Sequence, residues 1–171
     1  RRCEAREGAA CTSLSWLAFR ADTGLKHDHR RAWRMAVRAC QLGHLMGCVN
    51  QSHFASEGIG ARADAALAVR LARKACDGGE PLGCNNLGDM YEHGRGVPLD
   101  LAQARRLYQQ ACDRGVGVGC KGLGDLAAAD KGQPADPTAA RAHYRRGCAL
   151  GYAKACPLAE GKAPADAAPR R

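Results

Sequence analysis

Aromatic side chains are scarce in this sequence of 171 residues, at 5% of the chain, whereas alanine is abundant. A β-sandwich core favours β-branched and aromatic side chains, and alanine and leucine suit closely packed helices better. No apolar run approaches the roughly 18 residues that a membrane-spanning helix needs. The composition therefore predicts one helical domain with a continuous core and no membrane span.

Several spacings that indicate chemistry are also missing. Seven residues separate the members of every near cysteine pair, so the CxxC spacing of zinc knuckles and redox sites is absent. The Ser-x-x-Lys and Lys-Thr-Gly signatures of serine β-lactamases are absent too. His27 and His29 begin a His-x-His-x-Asp pattern, but Arg31 stands where the acid belongs. We therefore expect no metal, no cofactor and no catalytic residues.

The charge is strongly positive, at +9 from 26 basic and 17 acidic residues. The basic residues are spread along the sequence, and runs such as Arg30-Arg31 and Arg105-Arg106 lie inside helix patterns. A nucleic-acid or anionic-surface partner requires charge clustered on one face, and aromatic stacking platforms are missing. We predict a solvated basic surface and no nucleic-acid partner.

The ten cysteines follow a fixed period. One series recurs every 36 residues: Cys40, Cys76, Cys112 and Cys148. A second series follows eight residues behind it: Cys48, Cys84, Cys120 and Cys156. Cys3 and Cys11 continue both series with a step of 37. A period of this length indicates a repeat array.

The clearest repeat runs from Cys84 to Cys112. Its first half has apolar side chains at helical spacing: Leu87, Met90 and Tyr91. Gly94 and Gly96 interrupt this helix, and Asp100 can cap a second one, which Gly115 can end in a left-handed conformation. Each repeat is therefore predicted to be two antiparallel helices joined by a short turn.

The segment GCNNLGDMYEHGRGVPLDLAQARRLYQQACDRG resembles the Sel1-like repeat, a relative of the tetratricopeptide repeat. The resemblance rests on these residues: Leu87-Gly88, Tyr91, Gly94-x-Gly96-Val97, Ala104, Tyr108, Ala111 and Gly115. The doubled cysteines are similar to those of the bacterial cysteine-rich subclass. The resemblance implies an all-α, right-handed solenoid of antiparallel helical hairpins stapled by disulfides. Ser15 and Ser52 replace the glycine of Leu-Gly in the first two repeats, where we expect slightly looser packing.

The repeats predict one solenoid domain over residues 1–156. Its units are about 11–40, 48–76, 84–112 and 120–148, and Cys3 would end a preceding repeat. Residues 157–171 are rich in alanine, proline and charge, which predicts a disordered tail.

The even number of cysteines and their strict spacing indicate disulfides. Hairpin geometry leaves two partners open for Cys84, namely Cys76 and Cys112. Pairing eight residues apart uses all ten cysteines, whereas pairing within hairpins leaves Cys3 and Cys156 without partners. The Sel1-like family that the sequence resembles also bridges consecutive helices by pairing eight residues apart. The predicted bridges are Cys3–Cys11, Cys40–Cys48, Cys76–Cys84, Cys112–Cys120 and Cys148–Cys156. Disulfides persist in oxidising compartments, so we expect the bacterial periplasm or the cell exterior, with the mitochondrial intermembrane space as the alternative.

The resemblance implies a non-catalytic adaptor that binds a protein or peptide on its concave face. The first helix of each repeat lines this face. By analogy with tetratricopeptide repeats, the inward residues are Ser13, Trp16, Arg20, Val49, Asn50, His53, Glu57, Asn85, Asn86, Asp89, Glu92, His93, Lys121 and Asp125. Asparagine amides can donate to and accept from a peptide backbone.

The helical positions of Trp16 and Trp33 also predict that both fill the core. We expect a monomer. Some cysteine-rich relatives are described as weak β-lactamases or penicillin binders, so a hydrolase is the alternative.

Overall fold

The computed structural model describes residues 8–20, 28–129 and 134–162, which form helices and turns without strands. The main helices are α1 (Gly8–Arg20), α2 (His29–Gln41), α3 (Leu45–Glu57), α4 (Ala65–Asp77), α5 (Pro81–His93), α6 (Leu101–Asp113), α7 (Gly117–Ala128) and α8 (Pro137–Ala149). A 3-10 turn (Ala153–Ala155) and the short helix α9 (Cys156–Ala159) follow. The predicted pair of helices in each 36-residue repeat is confirmed.

Aspartates begin the second helix of every repeat. Each aspartate accepts a hydrogen bond from a backbone N–H in the first turn, as Asp64 does from Leu67 at 2.8 Å and Asp100 from Gln103 at 2.9 Å. Such caps typically contribute about 1 kcal/mol each. The prediction that Asp100 caps its helix is confirmed, and Gly94 ends the preceding helix α5 in a left-handed conformation with φ of 64°.

The chain divides into two compact units, Arg1–Leu99 and Asp100–Arg171. In unit 1, the pairs α1–α2 and α3–α4 form hairpins, α2 packs on α3, and α4 packs on α5. The first helices α1, α3 and α5 also pack on one another in succession. Fully buried alanines of α2 and α4, together with Phe54, form much of this core, as the alanine-rich composition predicts.

In unit 2, α7 packs between α6 and α8, and α9 packs on α8. Its core includes Leu123, Leu126 and Ala140, with Tyr144 only 7% exposed. Leu158 and Ala159 pack against the cluster around Tyr144. Residues 157–159, with which the predicted tail begins, belong to the helix α9, and residues 163–171 lie outside the described part of the chain.

Four predicted disulfides are present: Cys40–Cys48, Cys76–Cys84, Cys112–Cys120 and Cys148–Cys156. Each bridge joins the end of a second helix to the first helix of the next repeat, or to α9 after the last repeat. Cys11 is disulfide-bonded as well, and its predicted partner Cys3 lies outside the described residues. The prediction of pairs eight residues apart is confirmed for these four bridges.

A glycine stands just before the cysteine that opens the second, third and fourth repeats. A Cβ added at Gly47 would lie 2.3 Å from the Cβ of Ala39, and one added at Gly83 would lie 2.6 Å from that of Ala75. Real Cβ atoms do not approach so closely, and only glycine lets the two disulfide-linked helices touch at this point.

Ser15 and Ser52 do not loosen their repeats. Both side chains are fully buried, and the Ser52 hydroxyl donates to the Ala68 carbonyl at 2.8 Å. At the equivalent position of the fourth repeat, a Cβ on Gly124 would lie 2.4 Å from the ring of Tyr144. The second repeat has Ala72 where the fourth has Tyr144. The expectation of looser packing is therefore wrong, because the serine accompanies a smaller partner on the second helix.

Candidate binding groove

A groove of about 510 Å³ lies on the first helices of unit 1. Its lining comes from α1, α3 and α5: Thr12, Ser13, Trp16, Met46, Val49, Asn50, His53, Leu82 and Asn86. Many of these residues occupy equivalent positions in their repeats. Ser13, Asn50 and Asn86 each stand two residues after the opening cysteine, and Met46 and Leu82 stand two residues before it. The repeat thus builds the groove by presenting the same positions from three neighbouring helices.

Trp16 supplies the most exposed apolar surface of the groove. Its side chain is 42% exposed, and its ring centroid lies 5.4 Å from that of Phe19. The prediction that Trp16 fills the core is wrong, whereas Trp33 is half-buried and packs against the cluster around Phe54. An exposed indole can cover an apolar ligand and still donate its ring N–H.

His53 lies in the groove beside the aromatic cluster. Its ring meets that of Phe19 edge-on, with centroids 6.0 Å apart, and lies 5.9 Å from that of Phe54. Burial lowers the pKa of His53 below its ordinary value, the Glu57 carboxylate opposes this shift, and the Arg95 guanidinium adds to it. His53 is therefore neutral at pH 7 and can both donate and accept a hydrogen bond.

The two predicted asparagines of the groove differ in their environment. Asn50 is only 8% exposed, and its Nδ2 donates to Ser15 Oγ at 2.9 Å. That amide nitrogen is therefore engaged inside the protein. Asn86 is half-buried, and its Oδ1 accepts only a long hydrogen bond, 3.5 Å, from Asn85 Nδ2. Asn86 is thus the asparagine whose amide is better placed to contact a ligand.

Three predicted binding residues form a charge network with Arg95 outside the groove lining. Arg95 Nη1 lies 3.3 Å from Glu57 Oε1, and Arg95 Nη2 pairs with Asp89 Oδ2. His93 Nδ1 lies 3.3 Å from Asp89 Oδ1. The Arg95 guanidinium thus bridges the carboxylates of Glu57 and Asp89. Glu92, on the same helix α5, is half-buried and also lies outside the lining.

Lys121 and Asp125 belong to unit 2 and lie on α7. Lys121 Nζ is 2.5 Å from Asp125 Oδ2, and the Tyr144 hydroxyl donates to Asp125 Oδ1 at 3.0 Å. Burial, followed by the charge of Asp125 and its hydrogen bond, raises the pKa of Tyr144 far above its ordinary value. Asp125 therefore helps hold α7 to α8 through Tyr144, whereas Lys121 contacts Asp125 within α7.

Sequence reasoning missed Thr12, Met46 and Leu82, which complete the groove. The signal was available in the register, because Met46 and Leu82 share one position relative to the cysteines. Thr12 Oγ1 lies 2.9 Å from His44 Nδ1 and 3.0 Å from the Gly8 carbonyl, and so links α1 to the start of α3.

Serines of α1 and α3 have structural contacts. Ser15 and Ser52 are fully buried, and Ser13 donates to the Ala9 carbonyl at 3.2 Å. Over the described ranges, no group of three histidine, cysteine or acidic side chains is placed to hold a metal ion. His29 begins α2, and His27 lies outside those ranges. No described helix is long and apolar enough to cross a membrane.

Comparison with known proteins agrees with this architecture. The family model for the Sel1 repeat matches residues 8–44, 52–80, 81–116 and 120–152. Cytochrome c oxidase assembly factor 7 of Xenopus tropicalis is 33% identical over 58 residues, which are 34% of this chain and 25% of that protein. The chain thus spans about a quarter of the length of this curated relative.

Solved structures show the same fold. A Sel1 repeat protein from Oxalobacter formigenes has a TM-score of 0.76 at 22% identity, over 88% of this chain and 61% of that one. A protective antigen of uropathogenic Escherichia coli strains, with an SLR fold, has a TM-score of 0.68 at 26% identity, over 89% and 32%. Cysteine rich protein B of Helicobacter pylori has a TM-score of 0.54 at 26% identity, over 69% and 84%.

These matches confirm the all-α solenoid fold class, and the four disulfides described above staple its hairpins. Sel1-repeat proteins are generally protein-interaction scaffolds, and their fold is usually non-catalytic. The family model covers most of the sequence, repeat by repeat. The chain belongs to the Sel1 repeat family.

Proposed function

We propose that this protein is a non-catalytic adaptor that binds an extended segment of a partner protein in the groove of unit 1. The observation that carries the proposal is the lining itself, in which three consecutive first helices present equivalent side chains around one apolar trough. Trp16, Met46 and Leu82 would hold an apolar side chain of the ligand. Asn86 and neutral His53 would contact its backbone.

The disulfides would favour binding in two ways. Each staples consecutive repeats, so the helices that line the groove are ordered before the ligand arrives, which lowers the entropic cost of binding. They also fit an oxidising compartment, and cysteine rich protein B of Helicobacter pylori is a structural neighbour. We therefore place the adaptor in the periplasm or outside the cell, and we propose that it acts as a monomer.

The charged residues first considered for ligand contact have a different role in this proposal. Glu57, Asp89 and His93 are engaged with Arg95, and Asp125 is engaged with Lys121 and Tyr144. Reversing the charge of Asp89 or Asp125 would therefore disturb the fold as well as any binding. Groove variants give a cleaner test.

The experiment is a selection of displayed random peptides on the full chain, after which every recovered peptide is tested for binding to the Ser13→Arg variant. Ser13 is exposed in the groove lining, so an arginine there fills the trough without entering the core. Ala102→Arg, at an exposed position of α6, is the matched control. We expect peptides with an apolar anchor that bind the control and not the groove variant.

Peptides that bind the native chain, Ser13→Arg and Ala102→Arg with equal affinity would show that the groove is not the site. Calorimetry with the recovered peptides measures these affinities, and circular dichroism confirms that each variant is folded. A loss of at least about tenfold in affinity is expected for Ser13→Arg, since a charged side chain would occupy an apolar subsite.

A further inference from the structure

The charge of unit 1 is divided unequally between its two helix layers. We use the name outer layer for α2 and α4, and inner layer for α1, α3 and α5, which line the groove. The outer layer has seven basic side chains and one acidic side chain, whereas the inner layer has one basic and three acidic side chains. The layers alternate along the chain, so the charge looks evenly spread in the sequence.

Basic side chains of the outer layer lie opposite the core, although Arg73 also donates to the Tyr91 hydroxyl of α5 and Lys74 to the Cys40 carbonyl. Ala36 and Ala72 are fully buried, and Arg34 and Arg70 stand two residues before them, which is roughly 200° around the helix. The basic residues of this layer are Arg30, Arg31, Arg34, Arg38, Arg70, Arg73 and Lys74. Arg38 is half-buried and the others are exposed. Arg34 and Arg70 are exactly one repeat apart in sequence, so the pattern recurs.

Few acidic groups compensate this surface. In the described part of the chain, Arg30, Arg34 and Arg70 form no ion pair. Asp28 and Asp64 each cap a helix by accepting from backbone N–H groups. Asp77, the acidic side chain of the outer layer, lies at the last residue of α4.

We propose that the outer layer of unit 1 docks on the phosphate headgroups of an anionic lipid surface. Six of its seven basic residues are arginine, whose planar guanidinium donates to phosphate oxygens in pairs. Among the residues that the structure describes, the exposed large apolar ones are Trp16, Leu17, Leu99 and Leu150, none of them on α2 or α4. The contact therefore stays at the level of the headgroups, without insertion into the bilayer.

The same surface is poorly suited to single-stranded nucleic acid. Base stacking requires exposed aromatic rings between the basic side chains, and Trp33, the tryptophan of α2, is half-buried against the core cluster that contains Phe54. The outer layer and the groove belong to different helices, and docking on lipid does not depend on the proposed peptide binding.

The test is co-sedimentation of the full chain with vesicles of phosphatidylcholine, with and without phosphatidylglycerol, at low and at near-physiological salt. The variant Arg30→Gln, Arg34→Gln, Arg70→Gln removes three charges from the outer layer. The matched control Arg114→Gln, Lys154→Gln, Lys162→Gln removes three charges from exposed positions in unit 2. Both proteins have the same net charge.

We expect binding to vesicles that contain phosphatidylglycerol, weakening as salt rises. The partition coefficient of the outer-layer variant should fall about tenfold or more, because each basic residue near an anionic surface adds to the free energy of membrane binding. The partition coefficient of the control should stay close to that of the native protein. Equal losses in both variants would overturn the proposal, since binding would then follow net charge. Binding to a short DNA duplex without binding to the vesicles would overturn it as well.

Discussion

On the residue scale, the repeats differ in the pair of residues that packs where their first and second helices meet. Gly124 accommodates the ring of Tyr144, and the second repeat has Ser52 and Ala72 at these positions. We expect Gly124→Ser to lower the free energy of unfolding by about 1–3 kcal/mol, because the added atoms overlap the ring. Urea denaturation monitored by circular dichroism measures the change.

Combining Gly124→Ser with Tyr144→Ala recreates the pair found in the second repeat. The double variant should therefore lose less stability than the sum of the two single variants. Strictly additive losses would show that the two positions do not compensate each other.

Asn50 and Asn86 occupy one repeat position but should respond differently to substitution. Asn50→Ala removes the donor to the buried hydroxyl of Ser15 and should cost about 1–2 kcal/mol of stability. Asn86→Ala should change stability by less than about 0.5 kcal/mol and weaken binding of a groove peptide. Denaturation and calorimetry on both variants test this, and the reverse pattern would contradict the assignment of their roles.

Stability should fall on mild acidification because of two histidines. Burial lowers the pKa of His53 and of His143 below 6.5, and nearby arginines add to both shifts. The unfolded chain then binds protons more readily than the folded chain, so this stability is present above about pH 6.5 and is lost as the pH falls through the lowered values. Thermal unfolding between about pH 7.5 and about pH 5 should show it.

The variant His53→Gln, His143→Gln serves as the control for that pH dependence. Its melting temperature should vary less over the same range. Asp113 does not interfere, because hydrogen bonds from Gln109 and Arg146 lower the pKa of its carboxyl below 3.8. An unchanged slope in the double variant would assign the effect to other groups.

On the scale of helices, burial should decide which bridge is reduced first. Cys112 and Cys120, which join α6 to α7, are fully buried. Cys148 and Cys156, which join α8 to α9, are half-buried. A reductant reaches an exposed sulfur more readily, and the bridge at α9 should open first. Limited reduction, alkylation and peptide mapping give the order, and earlier loss of the α6–α7 bridge would contradict this reading.

The helices and bridges could be predicted because the same sequence signals recur in every repeat. Cysteine spacing, the capping aspartates and the interrupting glycines each recur at a fixed period, so one ambiguous copy is corrected by the others. The roles of Trp16 and Asp89 could not be obtained in this way. They depend on packing between helices and on Arg95, a loop residue that reaches both Glu57 and Asp89.

On the scale of the whole molecule, the most informative property is where its charge lies. Net charge and sequence order suggest an evenly basic protein, yet in unit 1 the positive charge is concentrated on the second helices and the groove lies on the first helices. Sequence alone did not predict this division, because the layers alternate along the chain. The fold turns a dispersed composition into two surfaces of different character, an apolar trough and a basic outer layer.

The fluorescence of Trp16 tests the central claim, that the groove is a binding site, most directly. The chain has two tryptophans, so Trp33→Phe leaves Trp16 as the reporter in the groove. A peptide recovered by selection should cause a saturable blue shift of its emission, as the indole leaves water. Ser13→Arg in the same background should abolish the shift, and Ala102→Arg should preserve it. Peptide binding detected by calorimetry with no change in Trp16 emission would contradict the claim.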